Sequence, residues 1–119
     1  MVAWPPMKRL AALVCIGACA GALAADPPKP LAFSTTLQPG RIHEECLRVE
    51  KAEKRNYHWK ADAPVDFNIH RHEGNEVFYP VKRTAMRGDG GTFLADVGAD
   101  YCWMWTARDK PAKLEGGIK

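Results

Sequence analysis

The sequence contains a single serine, Ser34, and this scarcity argues against nucleophilic catalysis. A serine nucleophile needs an adjacent base, and the residues beside Ser34 in the sequence offer none. The carboxylates of Glu44 and Glu45 do not replace it, because consecutive residues of a strand point to opposite faces and cannot share a proton. We therefore predict a protein that is not an enzyme.

An excess of charge of one sign is also lacking. The 119 residues include 17 Lys and Arg residues and 14 Asp and Glu residues. Lys8 and Arg9 lie in a segment that we expect to be removed, which leaves 15 basic residues against 14 acidic ones. A near-neutral protein has no electrostatic basis for binding nucleic acid or an anionic membrane surface. No nucleic-acid partner is expected.

No uncharged apolar run is long enough to span a bilayer as a helix. The run Leu10–Leu23 has 14 residues, whereas a span needs about 20. It follows the basic pair Lys8-Arg9 and ends in Ala22-Leu23-Ala24, a pattern that signal peptidase accepts. We predict a signal peptide at residues 1–24, no transmembrane span, and a periplasmic or secreted protein.

A second interpretation of the same region stays open. Ile16-Gly17-Ala18-Cys19 resembles a lipobox, in which Cys19 would carry a lipid anchor. In either case residues 25–31 form a proline-rich linker, and residues 32–119 are enough for one small domain.

Cysteine is scarce after the predicted signal peptide: residues 25–119 contain only Cys46 and Cys102. Two cysteines in a small secreted domain most often pair. The rival interpretations, a redox dithiol or two metal thiolates, usually use the short C-x-x-C spacing, which is absent here. We predict a disulfide that stabilises the domain by about 4 kcal/mol in the loop-closure model.

Period-two alternation of apolar and polar residues dominates the rest of the chain, and no long segment has a helical stripe. Turn signals separate the strands, among them Asp62-Ala63-Pro64 and Gly88-Asp89-Gly90-Gly91. These features predict an all-β fold, a small antiparallel β-sandwich of seven or eight strands. The predicted strands are 32–37, 43–50, 56–60, 65–70, 77–82, 92–97, 101–105 and 112–118.

Two segments, NYHWKADAPVDFNIH and GGTFLADVGADYCWMWTA, resemble the GOLD (Golgi dynamics) domain over roughly residues 41–118. The features that carry the resemblance are Trp59, Asp66 with Phe67 and Ile69, Gly91 with Phe93, and the closing strand Tyr101–Thr106. GOLD domains are β-sandwiches that mediate protein–protein contacts. The resemblance implies a GOLD-like β-sandwich and a binding role.

The aromatic residues Tyr101, Trp103 and Trp105 share one face of a predicted strand. Packing in the core is one interpretation, since aromatic residues dominate small β cores. The other is an exposed platform for a sugar, a peptide or a lipid, because a large exposed apolar area marks a partner site.

The motif His70-x-His72-x-x-x-Glu76 is the strongest candidate for chemistry. Two histidines at alternate strand positions point the same way and suit a shared zinc or copper ion. The spacing is similar to the first half of a cupin motif, but Arg83 occupies the position of the expected glycine. No histidine follows His72, so further ligands would have to come from His43 and His58.

The length of the loop after His72 decides whether this motif can close on one ion. A two-residue loop, Gly74-Asn75, pairs Glu73 with Glu76 and places both histidines on the face opposite to Glu76. A three-residue loop would place all three ligands on one face. We predict a binding module that presents its surface to a protein or envelope partner; the alternative is a metal-binding protein that uses His70, His72 and Glu76.

Overall fold

The computed structural model describes residues 29–119, together with Ala3. The predicted signal peptide, the lipobox with Cys19, and residues 25–28 of the predicted linker lie outside the described residues. Among the described residues, no helix is long and apolar enough to cross a membrane. Six strands are present: β1 Leu31–Leu37, β2 Ile42–Val49, β3 Lys54–Glu73, β4 Glu76–Leu94, β5 Ala99–Ala107 and β6 Ala112–Ile118.

All the pairings are antiparallel, and the strands form one sheet in the order β1-β6-β3-β5-β2. β6 and β5 pair with successive parts of one edge of β3, and β4 pairs with the opposite edge. The long strand β3 pairs with β6 through Tyr57–Ala61 and with β5 through Val65–His70. It therefore runs from a first half of the sheet (β1, β6 and the start of β3) into a second half (β5, β2 and the rest of β3). The all-β prediction is confirmed.

The two halves curl over one another and enclose the core, which makes the fold sandwich-like. Trp59 of the first half lies 5.4 Å from Phe67 of the second half, measured between ring centroids. Phe33 of β1 lies 4.6 Å from Trp105 of β5. Burial of these large aromatic side chains supplies much of the hydrophobic stabilisation of a domain this small.

The structure has six strands where the sequence pattern predicts seven or eight, because two predicted turns are extended backbone. At Asp62-Ala63-Pro64 the chain stays extended while the pairing of β3 with β4 shifts between Lys60 and Val65. Pro64 is tolerated at this irregularity, where a missing N–H does not interrupt a regular ladder. Predicted strands 56–60 and 65–70 are thus two parts of β3.

The second such place is Gly88–Gly91, which pairs with Tyr57–Lys60 rather than forming a turn. A Cβ atom at Gly90 would lie 3.1 Å from the carbonyl oxygen of Tyr57, so glycine permits the close approach of the two strands. The first half of predicted strand 92–97 belongs to the end of β4, which stops at Leu94, and residues 95–97 are not in a strand.

Candidate functional site

The three aromatic residues of β5 belong to the core. Tyr101 and Trp103 are 0% exposed and Trp105 is 1% exposed. β5 lies between β3 and β2, and its inner face is covered by the opposite half of the sheet: Tyr57 is 6.4 Å from Trp103 between ring centroids. The core interpretation is confirmed, and an exposed aromatic platform at these residues is wrong.

The loop between β3 and β4 has two residues, Gly74 and Asn75, with Gly74 at a φ of 60°. Glu73 pairs with Glu76 and His72 pairs with Val77. Paired residues share a face and successive pairs alternate, so Glu76 lies on the face opposite to the histidines. The set His70, His72 and Glu76 therefore does not converge on one point.

His70 and His72 do lie together, with ring centroids 5.2 Å apart. The other two histidines lie elsewhere. His43 pairs with Trp105 and shares its inner face, whereas His58 pairs with Gly117 in the first half of the sheet. Neither joins the His70–His72 pair, because each is held on a different face or a different half of the sheet.

The predicted disulfide is present. Cys46 of β2 lies directly opposite Cys102 of β5, with the Cα atoms 4.0 Å apart and the sulfur atoms 2.08 Å apart. Cys102 is in turn paired with His70 of β3, so three neighbouring strands place these residues side by side on the outer face. Sequence spacing predicts the disulfide but does not reveal that His70 lies next to it.

Glu44 completes this group, which we call the outer-face cluster: Glu44, Cys46, Asn68, His70 and Cys102. Glu44 and Asn68 both pair with Met104, one step along the same face. The carboxylate Oε2 of Glu44 lies 3.9 Å from Nε2 of His70. One ligand atom each from Glu44, His70 and Cys102 lie within 4.8 Å of one another.

His70 is only 5% exposed although it lies on the outer face. The rings of His72 and Tyr79, at 5.2 and 5.7 Å, cover it. Its Nδ1 lies 2.7 Å from Oδ1 of Asn68, and because an amide oxygen only accepts, Nδ1 carries the proton. Burial lowers the pKa of His70, and the nearby Glu44 carboxylate opposes this only in part. The neutral ring therefore presents the lone pair of Nε2 towards Glu44.

A separate feature lies at the hairpin end of β4, where four consecutive residues are exposed. We call Val77, Phe78, Tyr79 and Pro80 the hairpin patch. Val77 and Phe78 are each 38% exposed and Tyr79 is 47% exposed. The guanidinium of Arg71 lies 4.3 Å from the ring centroid of Phe78. This patch is the longest consecutive run of exposed large apolar side chains among the described residues.

A depression of about 530 Å³ lies on the first half and brings Ser34 and His58 into one lining. The sequence did not suggest this proximity, because the two residues come from strands far apart in the chain. The Glu115 carboxylate in the same lining is held by the ammonium of Lys60 at 2.7 Å. Within residues 29–119 no hydrogen bond joins Ser34 to His58.

Comparison with known proteins supports the fold. No protein-family model matches the chain, and no curated protein matches it by sequence. The pre-peptidase C-terminal domain of a collagenase from Bacillus anthracis aligns at a TM-score of 0.57 and 13% identity, covering 75% of this chain and 88% of that chain.

Two further solved structures are similar. PliG from Aeromonas hydrophila, a periplasmic inhibitor of g-type lysozyme, aligns at a TM-score of 0.51 and 8% identity over 76% of this chain and 84% of its own. The Yersinia pseudotuberculosis-derived mitogen aligns at 0.50 and 12% identity over 78% and 86%. Identities this low show a shared fold alone. None of the three is a GOLD domain, and that resemblance stays a prediction.

Proposed function

We propose that this protein is a non-catalytic binding module of the periplasm or cell exterior, and that the hairpin patch contacts a partner protein. The observation that carries the proposal is the consecutive exposure of Val77, Phe78 and Tyr79. An exposed apolar patch is unfavourable in water, and on a soluble domain such a patch marks a contact surface. Aromatic residues and arginine are also enriched at the energetic centres of interfaces.

The patch is organised for contact through side chains rather than for strand addition. β4 is an edge strand, but its pairing with β3 is irregular here. Ile69 pairs with Val81 and Arg71 pairs with Phe78. Two residues of β4, Tyr79 and Pro80, therefore lie opposite the single residue His70. The bulge breaks the regular backbone ladder, and a proline has no N–H to donate to an added strand. Phe78 shares a face of the hairpin with Arg71, whereas the ring of Tyr79 lies against His70 on the other face. A partner would therefore contact both faces of this two-stranded ribbon.

Positive charge lies over both rings. Besides Arg71 above Phe78, the ammonium of Lys82 lies 5.0 Å from the ring centroid of Tyr79. A shallow cavity of about 230 Å³ opens between Arg71, the patch and Asp96. Apolar surface flanked by cations fits a protein surface that combines an apolar side chain with carboxylates.

The disulfide supports the proposed location, because disulfides persist in oxidising compartments and are rare in the cytosol. The similarity to a periplasmic lysozyme inhibitor supports the idea that a fold of this kind can present a protein-binding surface.

The test is photo-crosslinking from within the proposed surface in intact cells of the native host. A photoreactive phenylalanine analogue replaces Phe78 in one variant and Leu94 in another. Leu94 is a matched control, since it is apolar, lies on the same strand and is 55% exposed. We expect one discrete crosslinked protein from position 78 and none from position 94.

The contact is then weakened by a Phe78→Ala, Tyr79→Ala double variant, which should lose the captured protein in co-purification while Leu94→Ala retains it. Equal crosslinking from both positions, or no product from position 78, would show that the hairpin patch is not a docking surface.

A further inference from the structure

The outer-face cluster has an electrostatic feature that the disulfide does not explain. The Nε2 lone pair of His70 and the Glu44 carboxylate oxygen face each other at 3.9 Å. Because Nδ1 of His70 is hydrogen-bonded to Asn68, Nε2 is the ring nitrogen that faces the carboxylate. His70 is buried, so water screens this arrangement poorly. An imidazole nitrogen and a carboxylate oxygen held in this way form half of a cation site.

The other half consists of the two sulfur atoms. Cys102 lies beside His70 in the register, Cys46 lies beside Cys102, and the ligand atoms of Glu44, His70 and Cys102 lie within 4.8 Å of one another. Zinc binds nitrogen and oxygen at about 2.0–2.2 Å, so in a tetrahedral site two such atoms lie about 3.4 Å apart. The 3.9 Å between Nε2 of His70 and Oε2 of Glu44 must therefore shorten slightly when the ion binds, and the Glu44 side chain, 40% exposed, is free to rotate towards it.

We propose that Glu44, Cys46, His70 and Cys102 form a zinc site when the disulfide is reduced, so that the disulfide and the metal are alternative states of one site. Four ligands of the Cys, His and carboxylate types match the tetrahedral sites that zinc prefers. The hydrogen bond from Nδ1 of His70 to Asn68 is the kind of outer contact that fixes the orientation of a metal-bound imidazole. This site differs from the His70, His72 and Glu76 set and does not depend on the hairpin patch.

The redox step balances with a dithiol as the reductant. The dithiol transfers two electrons and two protons, the bond between Cys46 and Cys102 breaks, two thiols form, and the reductant becomes a disulfide. Zinc then displaces the two thiol protons to solvent and binds the thiolates. Copper(II) is not proposed, because it would oxidise the thiolates, whereas zinc has no redox chemistry. A surface depression has His72, Asp100 and Cys102 in its lining, so solvent reaches the neighbourhood of the site.

The test uses the full chain with Cys15→Ser and Cys19→Ser, so that Cys46 and Cys102 are its only cysteines. One sample stays oxidised; the other is reduced with dithiothreitol, freed of the reductant under anaerobic conditions, and titrated with zinc against a chromophoric chelator. We expect one zinc ion per reduced chain, bound at least about 100-fold more tightly than by the oxidised chain. Cobalt(II) in place of zinc should show thiolate charge transfer and a tetrahedral visible spectrum.

Two variants retain both cysteines and remove one ligand each, namely His70→Ala and Glu44→Gln. Each should weaken zinc binding by the reduced chain by about 10-fold or more, and should change the tetrahedral cobalt spectrum. Glu45→Gln is the matched control, since Glu45 pairs with Trp103 and lies on the opposite face of β2. Its affinity should equal that of the parent chain.

Three results would overturn the proposal. The first is the same zinc affinity in the oxidised and reduced chains. The second is an unchanged affinity in His70→Ala and Glu44→Gln, which would mean that two free thiols bind the metal without a built site. The third is a reduced chain that is unfolded by circular dichroism and does not refold when zinc is added.

Discussion

The two ends of the β3–β4 pair differ in what covers them. At the first end, around Trp59 and Phe93, β6 pairs with the free edge of β3 and both side chains are buried, at 4% and 5% exposure. At the hairpin end, the pairing of β3 with β5 stops at His70, and Phe78 lies on a two-stranded ribbon. The same kind of aromatic residue thus stabilises the core at one end and is exposed at the other.

This difference separates residues needed for folding from residues available for binding. A buried aromatic ring contributes through the apolar area it removes from water and the contacts it makes. The ring of Phe78, 38% exposed on a two-stranded ribbon, gains less of either, so its exposure at this end needs another reason. The proposed contact surface supplies one.

The largest effect that would sharpen this comparison is expected from Trp59→Ala. Trp59 packs against Phe67 and Trp105, at 5.4 and 6.4 Å between ring centroids. Removal of this side chain should lower the free energy of unfolding by about 3–5 kcal/mol, as for other large-to-small changes in cores. Urea unfolding followed by circular dichroism measures it.

The matched change at the other end is Phe78→Ala, which should alter the free energy of unfolding by no more than about 0.5 kcal/mol. A loss comparable to that of Trp59→Ala would break the comparison, because it would show that the hairpin patch is part of the stabilising core.

Gly116→Ala should lower the free energy of unfolding by less than Trp59→Ala does. Gly116 lies in β6, the strand that covers the first end. A Cβ atom there would lie 2.5 Å from the carbonyl oxygen of His58 and 2.8 Å from Cβ of Trp59. Since backbone cannot move aside cheaply, the free energy of unfolding should fall by about 1–3 kcal/mol. Gly91→Ala is the control, as its Cβ would meet Tyr57 Oη at an ordinary 3.5 Å. Equal losses of unfolding free energy in Gly116→Ala and Gly91→Ala would rule out steric crowding at Gly116 as the cause.

A small effect on stability concerns Asp66, at the bulge between the two ends. Burial alone would raise the pKa of Asp66, but the N–H of Ala85 and the Arg108 guanidinium, which donate to Oδ1 at 2.9 and 2.7 Å, hold it below its ordinary value. A carboxyl with a depressed pKa in the folded state stabilises the protein above its unfolded pKa, and this contribution is lost as pH falls through the folded value.

Asp66→Asn should therefore cost less than about 1 kcal/mol near neutral pH, because Asp66 is partly exposed. The difference from the parent chain should shrink as the pH is lowered from about 5 to about 2. Urea unfolding at several pH values measures it, and a difference that is constant across this range would contradict the assignment.

Much of the fold follows from local patterns. Alternation at Val65–His70 predicts a half-buried strand, and the structure buries Val65, Phe67 and Ile69 in the core. The Gly74-Asn75 signal correctly suggests a two-residue loop as one of two alternatives. Gly88–Gly91 misleads, because glycine favours turns yet also allows two strands to approach closely.

The sequence by itself determined the all-β class and the disulfide, since residue periodicity and cysteine number are local or countable properties. Only the tertiary structure decided which face each residue occupies and which residues become neighbours. The register of β3 separates Glu76 from His70, and the order β3-β5-β2 brings Glu44 and Cys46 to His70. Contacts between strands depend on sheet order and on how the two halves cover one another. Both are set by burial of the whole apolar surface at once, which no single segment encodes.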